Sequence, residues 1–213
     1  MIGLRPFLLH PVYKDKPWGG DALSRLYGRS QPYPLTGESW ELTCHPHGTS
    51  VVEDGPYAGL PLTEALEKDR TALLGQRDAS LDRFPLLIKF LDVRGLLSVQ
   101  VHPDDSYAFA HEQGDPGKTE AWYVLEADPD ACVYMGLKPG VDRPSLARAI
   151  REGTLPDRMR RVPVEKGDLL FIAAGTVHAA SGVFICEVQQ NSDTTYRVYD
   201  WRRVEPDGTT RPL

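Results

Sequence analysis

Leu96-Leu97-Ser98-Val99-Gln100-Val101-His102-Pro103 alternates polar and apolar side chains from Ser98 onward. A strand has a period of two, so Ser98, Gln100 and His102 face one way and Val99 and Val101 the other. One face can ligate; the other can pack into a hydrophobic layer. Two further polar residues sit in comparable settings. Glu120 lies in Lys118-Thr119-Glu120-Ala121-Trp122, and His178 follows a glycine turn in Gly175-Thr176-Val177-His178-Ala179. Imidazole, carboxylate and amide oxygen together make a borderline-hard donor set. Such a set suits Zn²⁺ first, then Mn²⁺, Fe²⁺, Co²⁺ or Ni²⁺.

Outward from this stretch the chain reads as strands. Candidates fall at 39–43, 49–53, 85–92, 96–101, 119–126, 131–136, 168–173, 182–190 and 195–201, with 93–95 joining two of them. Helices are expected from Thr63, which serves as N-cap, over 104–113, capped by Asp104 or Asp105, and over 145–152. Residues 1–35 hold Pro6, Pro11, Pro17, Gly19, Gly20, Pro32 and Pro34 and read as an irregular arm. Many short strands separated by turn signals, with few helices, predict a mainly β fold: a barrel or jelly roll. No linker interrupts 86–201. The expectation is one domain over 1–213, with an N-terminal elaboration at 1–85 and a core barrel at 86–201.

Bulk properties narrow the function. The 213 residues suffice for a substantial core, and 41% hydrophobic with 25% charged is ordinary globular composition. A formal net charge of −6, with Lys and Arg dispersed except at Arg158-Met159-Arg160-Arg161, argues against a nucleic-acid partner. Cys44, Cys132 and Cys186 are odd in number and widely spaced, so buried free thiols in a reducing cytoplasm are expected. No signal peptide and no membrane span is read from the apolar runs. No feature fixes an oligomeric state.

At this point the motifs carry a resemblance. Gly167-x5-Ala173-Ala174-Gly175-x2-His178 resembles the second cupin motif, departing at Ala173, where proline is usual. His102 followed by Glu120 resembles the first, widened by a helical insertion. More narrowly, six stretches in order resemble type I mannose-6-phosphate isomerase in its short bacterial form. They are Pro17-Trp18-Gly19-Gly20, Gly37-Glu38-Ser39-Trp40-Glu41, Leu97 to Asp105, Gly117 to Tyr123, Gly175 to Ala179, and Gln189 to Trp201. The resemblance implies a cupin-type β-barrel and a Zn²⁺-dependent aldose–ketose isomerase, with one Zn²⁺ per chain and a sugar phosphate as small-molecule partner. It would interconvert mannose 6-phosphate and fructose 6-phosphate. The family's zinc ligands fall on His102, Glu120 and His178, with Gln100 as the fourth, and its catalytic arginine on Arg197. Members of this type usually continue past the equivalent of Arg211 into a second, smaller β-domain, which is expected to be absent from a chain ending at Leu213.

The chemistry explains the residue types. Aldose–ketose isomerisation moves a proton between C1 and C2 through an enediol(ate). A permanently cationic Arg197 can steady the developing charge. Lys118, two residues before Glu120, shares its face and can serve substrate oxygens or proton transfer. Ser98, Glu41 and Trp18 form the candidate substrate-binding set, although Trp18 and Trp40 read more plainly as core or wall aromatics. Glu41, Lys118, Asp193 and a metal-bound water all remain open as the base. His45 and His47 in Cys44-His45-Pro46-His47 have metal-pair spacing, but no third ligand is near in sequence, and an exposed loop is expected. Two rival readings stand beside the isomerase. One is a metal-binding cupin that binds a sugar phosphate without turnover. The other is a cupin Fe²⁺ oxygenase, which would want more histidine.

Overall fold

The structure is a computed structural model describing residues 5–112, 114–204 and 207–213. In chain order the strands are β1 (Leu9–His10), β2 (Val12–Lys14), β3 (Glu38–Leu42), β4 (Cys44–His45), β5 (Gly48–Thr49), β6 (Val51–Val52), β7 (Leu86–Leu96), β8 (Val99–Val101), β9 (Glu120–Leu137), β10 (Met159–Pro163), β11 (Leu169–Ile172), β12 (His178–Gln190) and β13 (Tyr196–Tyr199). The helices are α1 (Ala22–Tyr27), α2 (Leu62–Asp78), α3 (Asp105–His111) and α4 (Arg143–Glu152). No helix among the described residues is long and apolar enough to cross a membrane.

One antiparallel sheet dominates, in the order β10-β9-β12-β7-β3-β2. β11 pairs with β9, β8 with β12, and β13 with β8. The sheet curls into the half-barrel of a cupin-type fold. Its inner layer packs Leu91, Val93, Trp122, Val124, Val133, Ile172 and Ile185. α1 covers part of the outer face, setting Ala22 and Leu23 against Phe184 and Phe90.

The curl has a local cause. At Gly182, with φ 69°, β12 enters the left-handed backbone that only glycine adopts readily, and its register slips between Ser181 and Val183. Beyond the slip, Phe184 to Gln190 pair with β7 and the first half of β9. Before it, His178 pairs with Met135 at the far end of β9 and with Gln100 of β8. Two strands far apart in sequence thus meet at the residues that matter.

Several boundaries differ from the sequence reading. β7 runs unbroken through 93–95, and the chain breaks instead at Leu97-Ser98. Gly95 makes no turn; it admits the backbone of Trp18, whose carbonyl accepts its N–H at 3.1 Å. Likewise 119–126 and 131–136 are one strand, β9. Residues 128–130 bulge without partners in β12, so Pro129 forfeits no ladder bond. Thr63 lies inside the first turn of α2, which follows Pro61, and is not its cap. Asp104 caps α3, accepting from the Tyr107 N–H at 2.7 Å; Gln113, the last residue expected in that helix, lies outside the described residues. The arm contains α1, and β2 and β3 join the main sheet, so the first 85 residues supply two of its strands.

Candidate active site and metal centre

His102, Glu120 and His178 come together inside the curl. Their ligand atoms all lie within 4.8 Å of one another, and all three side chains are buried. Each histidine is oriented by the backbone. His102 Nδ1 donates to the Thr194 carbonyl at 3.0 Å and His178 Nδ1 to the Thr176 carbonyl at 2.9 Å. That choice of tautomer leaves both Nε2 lone pairs turned toward the Glu120 carboxylate, 2.6 Å from His102 and 4.0 Å from His178. Burial, then the charge of Lys118, push His102 down to about 3, and burial also lowers His178, so both rings are neutral. Lone pairs facing a carboxylate repel unless a cation lies between them.

A cation is already drawn there. The buried Lys118 ammonium stands 3.1 Å from Glu120 Oε1 and 3.3 Å from His102 Nε2. The other oxygen, Oε2, accepts from Trp122 Nε1 at 2.7 Å, leaving Oε1 to face the cluster. Gln100 Nε2 lies 3.3 Å from His178 Nε2; a half-turn of the amide would put its oxygen in the same place. The donor set therefore fits a metal ion, with three firm ligands and a fourth within reach.

Beside the cluster opens a cavity of about 300 Å³. Five cations (Lys16, Lys89, Lys118, Arg197 and Arg211) face three carboxylates (Glu38, Glu187 and Asp193) across it. In a chain of net charge −6 this is a local positive basin. Ser98, Gln100, Trp18, Leu91, Leu97 and Thr195 complete the lining. Trp18 also belongs to the core. Arg197 reaches the cavity from β13, its Nη1 donating to the Pro212 carbonyl at 2.9 Å. Arg158-Met159-Arg160-Arg161 is not among the lining residues and runs into the edge strand β10.

Glu41, expected at the substrate, is on the wrong face. Alternation along β3 turns Glu38 inward, where it lines the cavity and accepts from Trp40 Nε1. It turns Ser39 and Glu41 the other way, where Glu41 takes Arg29 Nη1 at 2.7 Å and Ser39 Oγ at 2.6 Å. Burial would raise the Glu38 carboxyl, but Lys89 and Lys16 outweigh it and hold it near 2. Lys89 sits 3.7 Å from Glu38 and 3.5 Å from Glu187, with its charge 5.0 Å above the Trp40 ring. Glu187 shares the Trp122 N–H with Glu120, at 2.8 Å. Burial, then the Glu120 charge, push it up to about 7. Sequence reading missed Lys89 and Glu187. Their one signal was a charge recurring in step with inward-facing residues of an otherwise apolar strand.

For the pair His45 and His47 the expectation of an exposed loop holds at His47 and is corrected at His45. His45 is buried, and Asp193, remote in sequence, supplies the third group, with His47 Nδ1 2.8 Å from its Oδ2. Both ring nitrogens of His45 are engaged, Nε2 with Asp115 at 2.9 Å and Nδ1 with the His47 N–H at 3.1 Å. The trio works as a hydrogen-bonded brace.

A curled cupin-type sheet with a buried His–Glu–His centre under a cationic cavity defines the class: a β-protein equipped to hold a metal beside an anionic small molecule. The chain belongs to the type I phosphomannose isomerase family, whose catalytic-domain model it matches over residues 7–124. It is 44% identical over 209 residues to the mannose-6-phosphate isomerase ManA of Bacillus subtilis and 43% identical over 209 residues to that of Streptococcus mutans. Each match covers 98% of this chain and 65% of the relative. The crystal structure of the Bacillus subtilis mannose 6-phosphate isomerase superposes with a TM-score of 0.91 at 41% identity, over 99% of this chain and 66% of that one. The chain thus spans just under two thirds of the length of these relatives.

Proposed function

We propose that this chain carries the catalytic centre of a zinc-dependent aldose–ketose isomerase interconverting mannose 6-phosphate and fructose 6-phosphate. The observation that carries this reading is the pairing of the His102–Glu120–His178 cluster with a cavity in which cations outnumber carboxylates. A phosphate monoester is close to dianionic at neutral pH and matches that excess.

His102, Glu120 and His178, joined by Gln100, would hold one Zn²⁺ per chain. Bound there, zinc supplies Lewis acidity toward the sugar oxygens. Arg197, paired in register with Gln100, steadies the charge that develops on the enediolate, and Arg211 with the Ser98 hydroxyl, both lining the cavity, would hold the phosphate. A base removes the C2 proton of the aldose while O1 gains one, giving the cis-enediol. The O2 proton then leaves and C1 is protonated, giving the ketose. Glu187 has the burial and the raised affinity for a proton that such a carrier needs near neutrality. Lys118 and Lys89 face the developing oxyanions and steady them. Asp193, which lines the cavity, would exchange protons with the sugar hydroxyls.

The test is a coupled assay of mannose 6-phosphate conversion on zinc-loaded protein, with His178→Ala and a chelated sample beside it. Turnover that disappears in both establishes the reading. Zinc held at one ion per chain with no conversion overturns it for this chain.

A further inference from the structure

Asp115 lies between the motif stretches that end at Asp105 and begin at Gly117, and one loop hangs from it. The loop is 191–195, which joins β12 to β13. Asp115 Oδ2 accepts from the Asp193 N–H at 2.9 Å, from Thr194 Oγ1 at 3.1 Å and from Ser192 Oγ at 3.4 Å. Its other oxygen, Oδ1, accepts from His45 Nε2 at 2.9 Å. That donor is fixed, because His45 Nδ1 accepts the His47 N–H and the ring proton therefore sits on Nε2. Three successive loop residues and one buried ring converge on a single carboxylate. Hydrogen bonds to an ionised acceptor are stronger than neutral ones. Burial would raise the Asp115 carboxyl, but the Asp193 N–H and His45 outweigh it and hold it below its ordinary value.

Asp115 is itself anchored beside the centre. The Gly117 N–H donates to Asp105 Oδ1 at 2.9 Å, and the Lys118 N–H to the Pro103 carbonyl at 2.9 Å. A Cβ at Gly117 would collide with the Asp105 backbone, so only glycine lets the two segments approach this closely. Pro103 follows His102 directly. The Asp115 segment and His102 thus share one fastening.

The loop serves the centre at two points. The Thr194 carbonyl accepts from His102 Nδ1 at 3.0 Å, and Asp193 lines the cationic cavity. Thr194 is held by its hydroxyl on Asp115 and by its N–H on Ser192 Oγ at 3.2 Å, which leaves its carbonyl a single bearing. His178 has a separate support in the Thr176 carbonyl, which belongs to another loop.

We propose that Asp115 is a positioning residue for the metal centre: it fixes residues 192–194 and so, through the Thr194 carbonyl, sets the tautomer and bearing of His102. The orientation of His102 stands on this geometry alone; its consequence for turnover rests on the isomerase reading.

The test is NMR of the full chain labelled with ¹⁵N, with and without zinc. In the unmodified chain the Nδ1–H protons of His102 and His178 should both be protected from solvent. In Asp115→Ala the His102 signal should be lost to exchange while the His178 signal persists. Zinc affinity, read by competition with a chelator, should fall roughly 10-fold, the low end of the loss for groups that orient a ligand directly. Thr194→Val is nearly isosteric and removes only the hydroxyl that Asp115 holds. It should give the same change in smaller degree, and it keeps the test decisive if Asp115→Ala fails to fold. With mannose 6-phosphate, kcat should fall in both variants while KM changes less than about twofold, because Ser98 and Arg211 lie off this loop. A His102 signal unchanged in Asp115→Ala, or in Thr194→Val where that variant alone folds, overturns the proposal. So does equal loss of both histidine signals in a folded variant. Loss of the His102 signal with unaltered zinc affinity overturns its role for the metal, and a raised KM with unchanged kcat overturns its bearing on turnover. An unmodified chain that fails to hold zinc, or holds it without turnover, speaks against the isomerase reading and leaves the metal-free spectra to judge Asp115.

Discussion

Trp122 joins the two halves of the centre through one N–H, which serves Glu120 in the metal-ligand cluster and Glu187 on the cavity wall. Trp122→Phe keeps the ring volume nearly constant and removes that donor. Two buried carboxylates then lose a partner, and a stability loss of roughly 1–3 kcal/mol is expected, read by urea unfolding. Zinc affinity, read by competition with a chromophoric chelator, should fall about 10- to 100-fold, as for other groups that orient a ligand. At this scale the sequence was legible wherever strand alternation met a distinctive side chain: Gln100 and His102 share a face as their spacing required. It misled at Glu41, because a short motif containing two glutamates does not say which one faces inward. Only the pairing of β3 with β7 settles that in favour of Glu38. Glu187 and Lys89 were illegible because their significance is mutual, and the two strands that pair them are nearly a hundred residues apart.

The elements were more legible than the way they bend. Strand existence followed from apolar alternation, and Asp104 capped its helix as its residue type demands. The bulges did not show, because a glycine inside a strand pattern reads equally as a weak spot, a close approach or a kink. Gly95 proved the second and Gly182 the third. Gly182→Val tests the kink. A β-branched residue at φ 69° is strained by about 1–3 kcal/mol. The variant should keep its far-UV circular dichroism yet bind zinc more weakly, because His178 depends on the slip in register. Unaltered zinc affinity would show that the sheet curls without it.

For the whole molecule, the charges under the cavity set a pH dependence. Glu38 has a folded value near 2 against 4.5 ordinarily, so between those values the unfolded chain binds the extra proton. Its contribution is complete above about pH 4.5 and disappears as pH falls toward 2; it is worth roughly 3 kcal/mol at most. Glu187 works in the opposite sense. Its raised value makes folding progressively less favourable as pH climbs from 4.5 to about 7 in metal-free protein. Thermal melts of metal-free protein should therefore show Glu38→Gln flattening the acid limb and Glu187→Gln flattening the neutral limb. Saturating zinc should raise the melting temperature of the unmodified chain, by mass action on the folded state alone.

His178 and Glu187 stand nine positions apart on one strand, a span of about 30 Å if it lay flat, yet both reach Glu120 or its tryptophan. β12 is bent like a bow, and the chemistry hangs where the string would be. Function in this molecule is thereby tied to curvature and not only to composition. Any state that preserves every hydrogen bond of the ladder but lets the sheet relax toward flatness would be fully folded by spectroscopy and chemically inert. Hydrogen exchange in β12, which reads only broken ladder bonds, would be blind to such a state; metal affinity at His178 would report it.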